Sequence, residues 1–337
     1  MRFADLKLSS LGLRVANARL EILDQRLLPD QEAWVEVRDH RHMVEIIKTL
    51  AVRGAPLIGV AAAMELAHAA SRGESDLRAV AAELRASRPT AVNLMWAIDR
   101  MLREAADLTE ASLTRVAKAI FDEDVAMCLA MGNNGAPLIQ DGDGVLTICN
   151  TGGLATVGIG TAFAVLQRAF EQGRRFHVYA CETRPLLQGG RLTTWELAKV
   201  GIPHTLITDS MAATLMRAGR IQCAFTGADR VSRRGDYANK IGTYNMAVLA
   251  KYHGVRFYGV APWSTVDASC PSGEHIEIEE RHADEVRGVA GSFGQVRWAP
   301  RDVAVFNPSF DVTPAELVTG LVLDRGVYKP EEFQRLF

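Results

Sequence analysis

The sequence predicts an α/β chain in which a small antiparallel β unit and a helical layer precede a domain built on a mostly parallel sheet. Three observations carry this. Apolar residues near the amino terminus fall in short β-like pieces, they recur at three and four from His40 to about Met131, and beyond that short apolar runs alternate with helical stretches. At about 150 residues per domain, 337 residues suggest two domains. We place them at 1–130, an N-terminal β/helical domain, and 131–337, a C-terminal Rossmann-like catalytic domain.

Taken in order, Leu11-Gly-Leu-Arg-Val15 and Leu20-Glu-Ile-Leu23 read as strands of one antiparallel unit. Met43, Ile46, Ile47, Leu50, then Leu77, Val80, Leu84, then Leu94, Ile98, Leu102 mark four or five amphipathic helices. The apolar run Ala55–Ala63, followed by Met64-Glu65, has the length of a buried helix and is too short to span a bilayer. Met131-Gly-Asn-Asn-Gly-Ala-Pro137 and Asp141-Gly-Asp-Gly144 form the clearest breaker cluster, so the second domain's core is expected after them. Its strands are expected at Val145–Ile148, Phe176–Ala180, His204–Thr208, Cys223–Thr226, Arg256–Ala261 and Asp302–Phe306. Buried strands alternating with helices need crossover connections, hence a parallel sheet covered on both faces.

Composition narrows the function. Hydrophobic residues make up 48% of the chain, enough for a sizeable core, which excludes disordered and fibrous classes. Lys+Arg 38 against Asp+Glu 40 leave a net charge of −2, too little positive charge to coat a nucleic-acid backbone. The five cysteines, at 128, 149, 181, 223 and 270, are odd in number and widely spaced, so neither a disulfide framework nor a CxxC motif fits. A reducing cytoplasm is the expected compartment. MRFADLKLSSLGLRV lacks the apolar core of a signal peptide, and no stretch reaches transmembrane length.

Ligands of open α/β sheets bind outside the carboxyl ends of the strands, so the residues there matter most. They are Cys149-Asn150, Cys181-Glu-Thr-Arg184, Asp209-Ser210, Asp229-Arg230, Ser264-Thr265 and Asn307. A thiol, carboxylates and an arginine converging on one rim signal an enzyme, although polar residues also follow buried strands simply because loops face water. The glycine-rich turn Cys149–Gly160 leads into a helix and offers backbone N–H groups to an anion, or else is a tight turn that needs glycine for packing. It is no dinucleotide loop, since G-x-G-x-x-G fails after Gly158-Ile-Gly160, and no Walker motif or HExxH is present. A nicotinamide-dependent dehydrogenase is disfavoured for that reason, and a metal has no positive support.

Arg53-Gly-Ala-Pro56 combines a flexible glycine with a proline suited to a first helical turn, so Arg53 and nearby amides are candidates for a phosphate clamp. Asn239-Lys240, read as opening a helix, holds one of seven lysines, and Arg88-Pro-Thr90 is a weaker candidate; a solvated surface charge is the plain alternative for each. Cys149 closing an apolar strand fits a small buried hydrophobe or, beside an amide-rich turn that stabilises a thiolate, a reactive one; Cys181 holds the equivalent place on the next strand. Asp229 follows Cys223-Ala-Phe-Thr-Gly-Ala228, whose apolar character favours a protonatable acid, unless it pairs with Arg230 or Lys240.

These residues resemble the methylthioribose-1-phosphate isomerases of methionine salvage, relatives of the regulatory subunits of translation initiation factor 2B. The resemblance runs nearly end to end, through Leu23-Asp-Gln-Arg-Leu-Leu-Pro29, Arg53-Gly-Ala-Pro-Leu-Ile-Gly59, Ser87-Arg-Pro-Thr-Ala-Val-Asn-Leu94 and Cys149-Asn-Thr-Gly-Gly-Leu-Ala-Thr156. It continues through Glu182-Thr-Arg-Pro-Leu-Leu-Gln-Gly189, Gly227-Ala-Asp-Arg230, Asn239-Lys-Ile-Gly-Thr-Tyr244 and Asn307-Pro-Ser-Phe-Asp-Val-Thr-Pro314. It implies Cys149 and Asp229 as the catalytic pair and Arg53, Gly54, Ala55, Arg88, Gln188, Asn239 and Lys240 as binding a small sugar phosphate. It further implies a homodimer, with neither metal nor organic cofactor. Two departures, Cys181 where relatives carry Asp and Thr151-Gly-Gly153 where Ala-Gly-Ala is usual, bear on substrate preference. Competing readings are an isomerase of 5-deoxyribose 1-phosphate or ribose 1,5-bisphosphate, and a non-catalytic subunit like the initiation-factor relatives.

Overall fold

The computed structural model describes residues 1–88 and 92–337. It divides into two compact units, one of Met1–Met127 with Gly153–Gly160 and one of Cys128–Gly152 with Thr161–Phe337. Pro89, Thr90 and Ala91, part of one quoted block, lie outside the described residues.

The first unit begins with an antiparallel sheet of β1 (Leu8–Ser9), β2 (Leu13–Ala16), β3 (Arg19–Leu23) and β4 (Trp34–Glu36). The alternation read in the sequence is the pleat: Leu13 pairs with Ile22 and Val15 with Leu20, all fully buried, while Arg14 and Ala16 face outward. Asn17 and Ala18, both at positive φ, make the two-residue turn between them. Five helices follow: α1 (His40–Lys48), α2 (Ala55–Ser71), α3 (Leu77–Arg85), α4 (Val92–Glu104) and α5 (Glu110–Gly135). Asp39 and Asp76 cap α1 and α3 by accepting the N–H of His42 and Ala79. Helix α2 is the expected apolar run, buried from Leu57 to Ala69, with Pro56 in its first turn. It crosses α4 so closely that a Cβ on Gly59 would stand 2.7 Å from the carbonyl oxygen of Asn93.

The breaker cluster is corrected here. Met131-Gly-Asn-Asn-Gly135 does not end the helical region but forms the last turns of α5. Its glycines serve packing: a Cβ on Gly132 would lie 2.6 Å from the side chain of Arg168, and one on Gly135 2.4 Å from that of Val165. Those partners lie on α6 (Ala162–Glu171).

In the second unit the main sheet comprises β5 (Gly144–Thr147), β6 (His177–Cys181), β7 (His204–Ile207), β8 (Cys223–Gly227) and β11 (Arg256–Val260), all parallel. These are the first five expected strands. Helices α7 (Thr194–Val200), α8 (Ala212–Arg217) and α9 (Thr243–His253) lie between them in the chain. The sixth expectation, Asp302–Phe306, forms no strand, because its apolar residues find nothing to cover them: Val303 is 42% and Phe306 79% exposed. The sixth parallel strand is β16 (Gly320–Leu323), buried throughout, with β17 (Gly326–Tyr328) antiparallel on its edge. The order across the sheet is β17-β16-β11-β8-β5-β6-β7.

A smaller sheet, β12-β9-β10-β15, is formed by β9 (Arg230–Ser232), β10 (Tyr237–Lys240), β12 (Val266–Asp267) and β15 (Phe310–Thr313), while β13 (Gly288–Gly291) and β14 (Gly294–Arg297) make a hairpin. None of these strands was expected. As a consequence Asn239-Lys240 ends a strand held between β9 and β15, and the helix begins at Thr243 instead.

Candidate active site

Direction reverses along the strand order between β5 and β8, since the chain goes from β5 outward through β6 and β7 and returns to β8 on the other side. A crevice at such a point is where open parallel sheets hold ligands. Thr147 pairs with Phe225, so Cys149 and Gly227 stand level at the carboxyl ends of adjacent strands, with Asp229 two residues beyond. A cleft of about 450 Å³ lined by His177, Tyr179, Thr205 and Arg220 lies instead at the amino ends of β5 and β6.

Cys149 is buried and has φ 66°. A non-glycine residue pays for left-handed backbone with roughly 1–2 kcal/mol, so the conformation must be imposed by its surroundings. Two threonines impose it. The N–H of Cys149 donates to Thr183 Oγ1 at 2.8 Å, and its carbonyl accepts from Thr193 Oγ1 at 2.5 Å. Asn150 donates to the buried carboxylate of Glu196 at 2.6 Å. That carboxylate also explains Gly152, where a Cβ would stand 2.3 Å from Glu196 Oε2.

The structure separates the two thiols that sequence position left equivalent. Cys181 is fully buried, and its thiol is driven far above the ordinary range by burial and by the negative charges of Asp209 and Glu182. It stays a thiol at any physiological pH. Glu182 is itself pushed up by burial and by Asp209.

Asp229 sits in the tight link from β8 to β9, its N–H donated to Ala238 O at 2.8 Å. Arg230, one partner considered for it, pairs with Asp267. A Cβ on Gly227 would touch Thr151 Cγ2 at 3.0 Å and Asn239 Oδ1 at 3.4 Å, which brings the Cys149 turn, the Asp229 link and the end of β10 side by side. Asn239 donates to Thr243 Oγ1 at 2.9 Å. Lys240 is buried, donates from Nζ to Ser309 O at 2.7 Å and lies 4.7 Å from the centre of the Phe310 ring. Asp311, on the facing strand, accepts the N–H groups of Gly242 and Tyr244, and burial raises it to about 6. Gln188 is buried with Oε1 lacking any hydrogen-bond partner. Its neighbour Gly189 packs against Cys181 O and Thr183 Oγ1, where no Cβ fits.

Cys149, Gln188, Asp229, Asn239 and Lys240 thus gather at one end of the second unit. Asn307, expected there as a strand end, follows no strand and donates to His282 O at 2.9 Å. Arg53, Gly54, Ala55 and Arg88 belong to the first unit. There Gly54 (φ 95°) precedes α2, and a Cβ on it would stand 2.4 Å from Ala155 Cα. Arg88 follows α3 and is half-buried.

The expectation that the glycine-rich turn presents free amides is corrected in part. Val157 N–H donates to Asp124 Oδ2 at 2.7 Å, Gly160 N–H to Thr156 Oγ1, Thr161 N–H to Thr151 O, and Gly158 N–H also reaches Asp124. The anion held by the middle of this turn is the protein's own carboxylate. Sequence reasoning missed Thr183, Thr193, Glu196, Asp209 and Asp124 in these roles, because each acts across dozens of residues, four of them on backbone groups and Glu196 on the Asn150 amide, rather than through a motif.

A parallel sheet with a thiol and a carboxylate on adjacent strand ends at the reversal point is the layout of an α/β enzyme. The chain belongs to the initiation factor 2 subunit family, whose model matches residues 51–330. It is 52% identical over 332 residues to a protein of Enterobacter sp. (strain 638) named methylthioribose-1-phosphate isomerase, covering 97% of each chain. Among solved structures it matches 5-methylthioribose 1-phosphate isomerase from Pyrococcus horikoshii OT3, with TM-score 0.89, 39% identity and coverage of 99% of this chain and 96% of that one. It also matches a structure described as translation initiation factor eIF-2B, subunit delta, from A. fulgidus, with TM-score 0.81, 42% identity and coverage of 92% and 94%.

Proposed function

We propose that this chain is an aldose-ketose isomerase that converts 5-methylthioribose 1-phosphate to 5-methylthioribulose 1-phosphate in methionine salvage. The observation that carries the reading is the 52% identity, over 97% of both chains, to a relative bearing that enzyme's name. The placement of Cys149 and Asp229 just beyond the carboxyl ends of the adjacent strands β5 and β8 supplies groups suited to the chemistry.

An aldose phosphorylated on its anomeric carbon is locked as a furanose, so the enzyme must open the ring while the phosphate stays. Opening needs an acid on the ring oxygen, after which one hydrogen moves from C2 to C1, as a proton through an enediolate or as a hydride. We assign Asp229 the acid and base steps on the oxygens and Cys149 the step at carbon. Arg53, Gly54, Ala55, Arg88, Gln188, Asn239 and Lys240 are assigned to the sugar phosphate, with Gln188 Oε1 and the buried Lys240 cation supporting the last three. Catalysis is assigned to residues 131–337. The strand order, 3-2-1-4-5-6 when the six parallel strands are numbered along the chain, supports calling that part Rossmann-like. A homodimer in the cytoplasm completes the reading; α9 leaves Tyr244, Val248 and Tyr252 exposed at four-residue spacing, an apolar stripe suited to a partner.

The test is an isomerase assay on methylthioribose 1-phosphate with no added metal or nucleotide, run beside 5-deoxyribose 1-phosphate and ribose 1,5-bisphosphate. The proposal expects the highest kcat/KM for the thioether substrate. A preference for the bisphosphate overturns the salvage assignment, and binding without turnover favours the non-catalytic reading.

A further inference from the structure

We propose that Thr183 and Asp209 are positioning residues that hold Cys149 in its reactive backbone conformation; this rests on the reading of Cys149 as catalytic. Three neighbouring strands, β5, β6 and β7, are followed just past their carboxyl ends by Cys149, Thr183 and Asp209 in turn.

Asp209 accepts the N–H of Thr183 on Oδ1 and that of Arg184 on Oδ2, both at 2.8 Å. Thr183 is fully buried and held at φ 67°. Its hydroxyl has both roles assigned, donating to Cys181 O at 3.1 Å and accepting the N–H of Cys149 at 2.8 Å. Cys149 in turn has φ 66°. Two left-handed non-glycine residues on neighbouring strand ends, linked by a bond from the backbone of one to the side chain of the other, are not what propensity favours, because a strained backbone persists only where its surroundings over-determine it. A turn needed only to end β5 would be served by glycine at lower cost. Here a thiol-bearing residue occupies the strained position, held from the end of the adjacent strand β6 by Thr183, which Asp209 at the end of β7 holds in turn.

The Asp209 carboxylate accepts two backbone N–H groups and reaches Cys149 only through the Thr183 hydroxyl.

The test compares Thr183→Val, which removes the hydroxyl and keeps the shape, with Thr183→Ser, which keeps the hydroxyl. For Thr183→Val the expected kcat is lower by about 10-fold or more with KM within about twofold, and for Thr183→Ser kcat returns to within about threefold of the parent. In parallel, the alkylation rate of Cys149 by iodoacetamide is followed against pH without substrate, by peptide mass; Val shifts this profile and Ser restores it. A Val variant with parental kcat and an unchanged alkylation profile overturns the proposal, as does a loss that Ser shares in full. If Thr183→Val does not fold, Asp209→Asn is read by the same two measurements against the same outcomes. The alkylation profile is independent of turnover, so full activity in Cys149→Ser removes the catalytic reading while this profile still decides the positioning.

Discussion

Asp124 accepts the backbone N–H of Val157 at 2.7 Å, a bond between a buried side chain of α5 and a segment 33 residues further on. Burial raises this carboxyl to about 6, with the N–H groups of Val157 and Gly158 opposing the shift. A raised carboxyl binds more protons folded than unfolded between about pH 4 and 6, so its contribution to stability is greatest at low pH and falls as pH rises through 6. Asp124→Asn removes this titration. The melting temperature of the variant relative to the parent should therefore rise between pH 4.5 and 7.5, which calorimetry at several pH values checks; a constant difference contradicts it.

Gly54 is held at φ 95° with Ala155 Cα 2.4 Å from the place of a Cβ. Gly54→Ala meets both backbone strain and a collision with main chain that cannot rotate away. We expect a loss of at least about 2 kcal/mol, seen as a lower Tm. An unchanged Tm would show that α2 can shift at its first turn.

Cys149→Ser and Asp229→Asn should each lower kcat by about 10²-fold or more if both are general acids or bases. Near-parental turnover in either removes that residue from the mechanism. Running the reaction in D₂O separates the two routes for hydrogen: solvent deuterium at C1 of the product excludes a pure hydride shift.

Cys181 should resist iodoacetamide at pH 8 in the folded protein and react once unfolded, because burial and its acidic neighbours keep it protonated. Cys181→Ala should retain kcat within about threefold, since only the carbonyl of residue 181 enters the Thr183 network. A larger kcat loss at unchanged stability would move the reactive thiol from β5 to β6.

The sheet's centre was legible because β5, β6, β8 and β11 are continuous apolar runs, as strands buried on both faces must be. Asp302–Phe306 carries the same local pattern without a neighbour, and Gly320–Leu323 has one; pattern alone does not distinguish them. The glycines of α5 were misread because a glycine that admits a neighbouring helix looks, in sequence, like one that ends a helix. Cys149 and Asp229 were readable as strand ends. Strand position alone left Cys149 and Cys181 equivalent, and the family resemblance pointed to Cys149; what no local pattern shows is that Asp209 and Glu182, brought together from β6 and β7, raise the Cys181 thiol.

The segment Gly153–Gly160 groups with the first unit although its flanks on both sides belong to the second. Within the first unit it is pinned by Asp124, by Gln25, whose Nε2 donates to Leu154 O at 2.7 Å, and by the bond from Leu57 N–H to Ala155 O. Scissors applied between Met127 and Cys128 would therefore part this segment from the unit it belongs to. A fragment starting at Cys128 would carry Leu154 and Val157, both buried in the whole protein, as apolar residues stripped of their partners. Passed by itself to another gene, the second unit would take along a loop whose hydrogen-bonding partners stay behind.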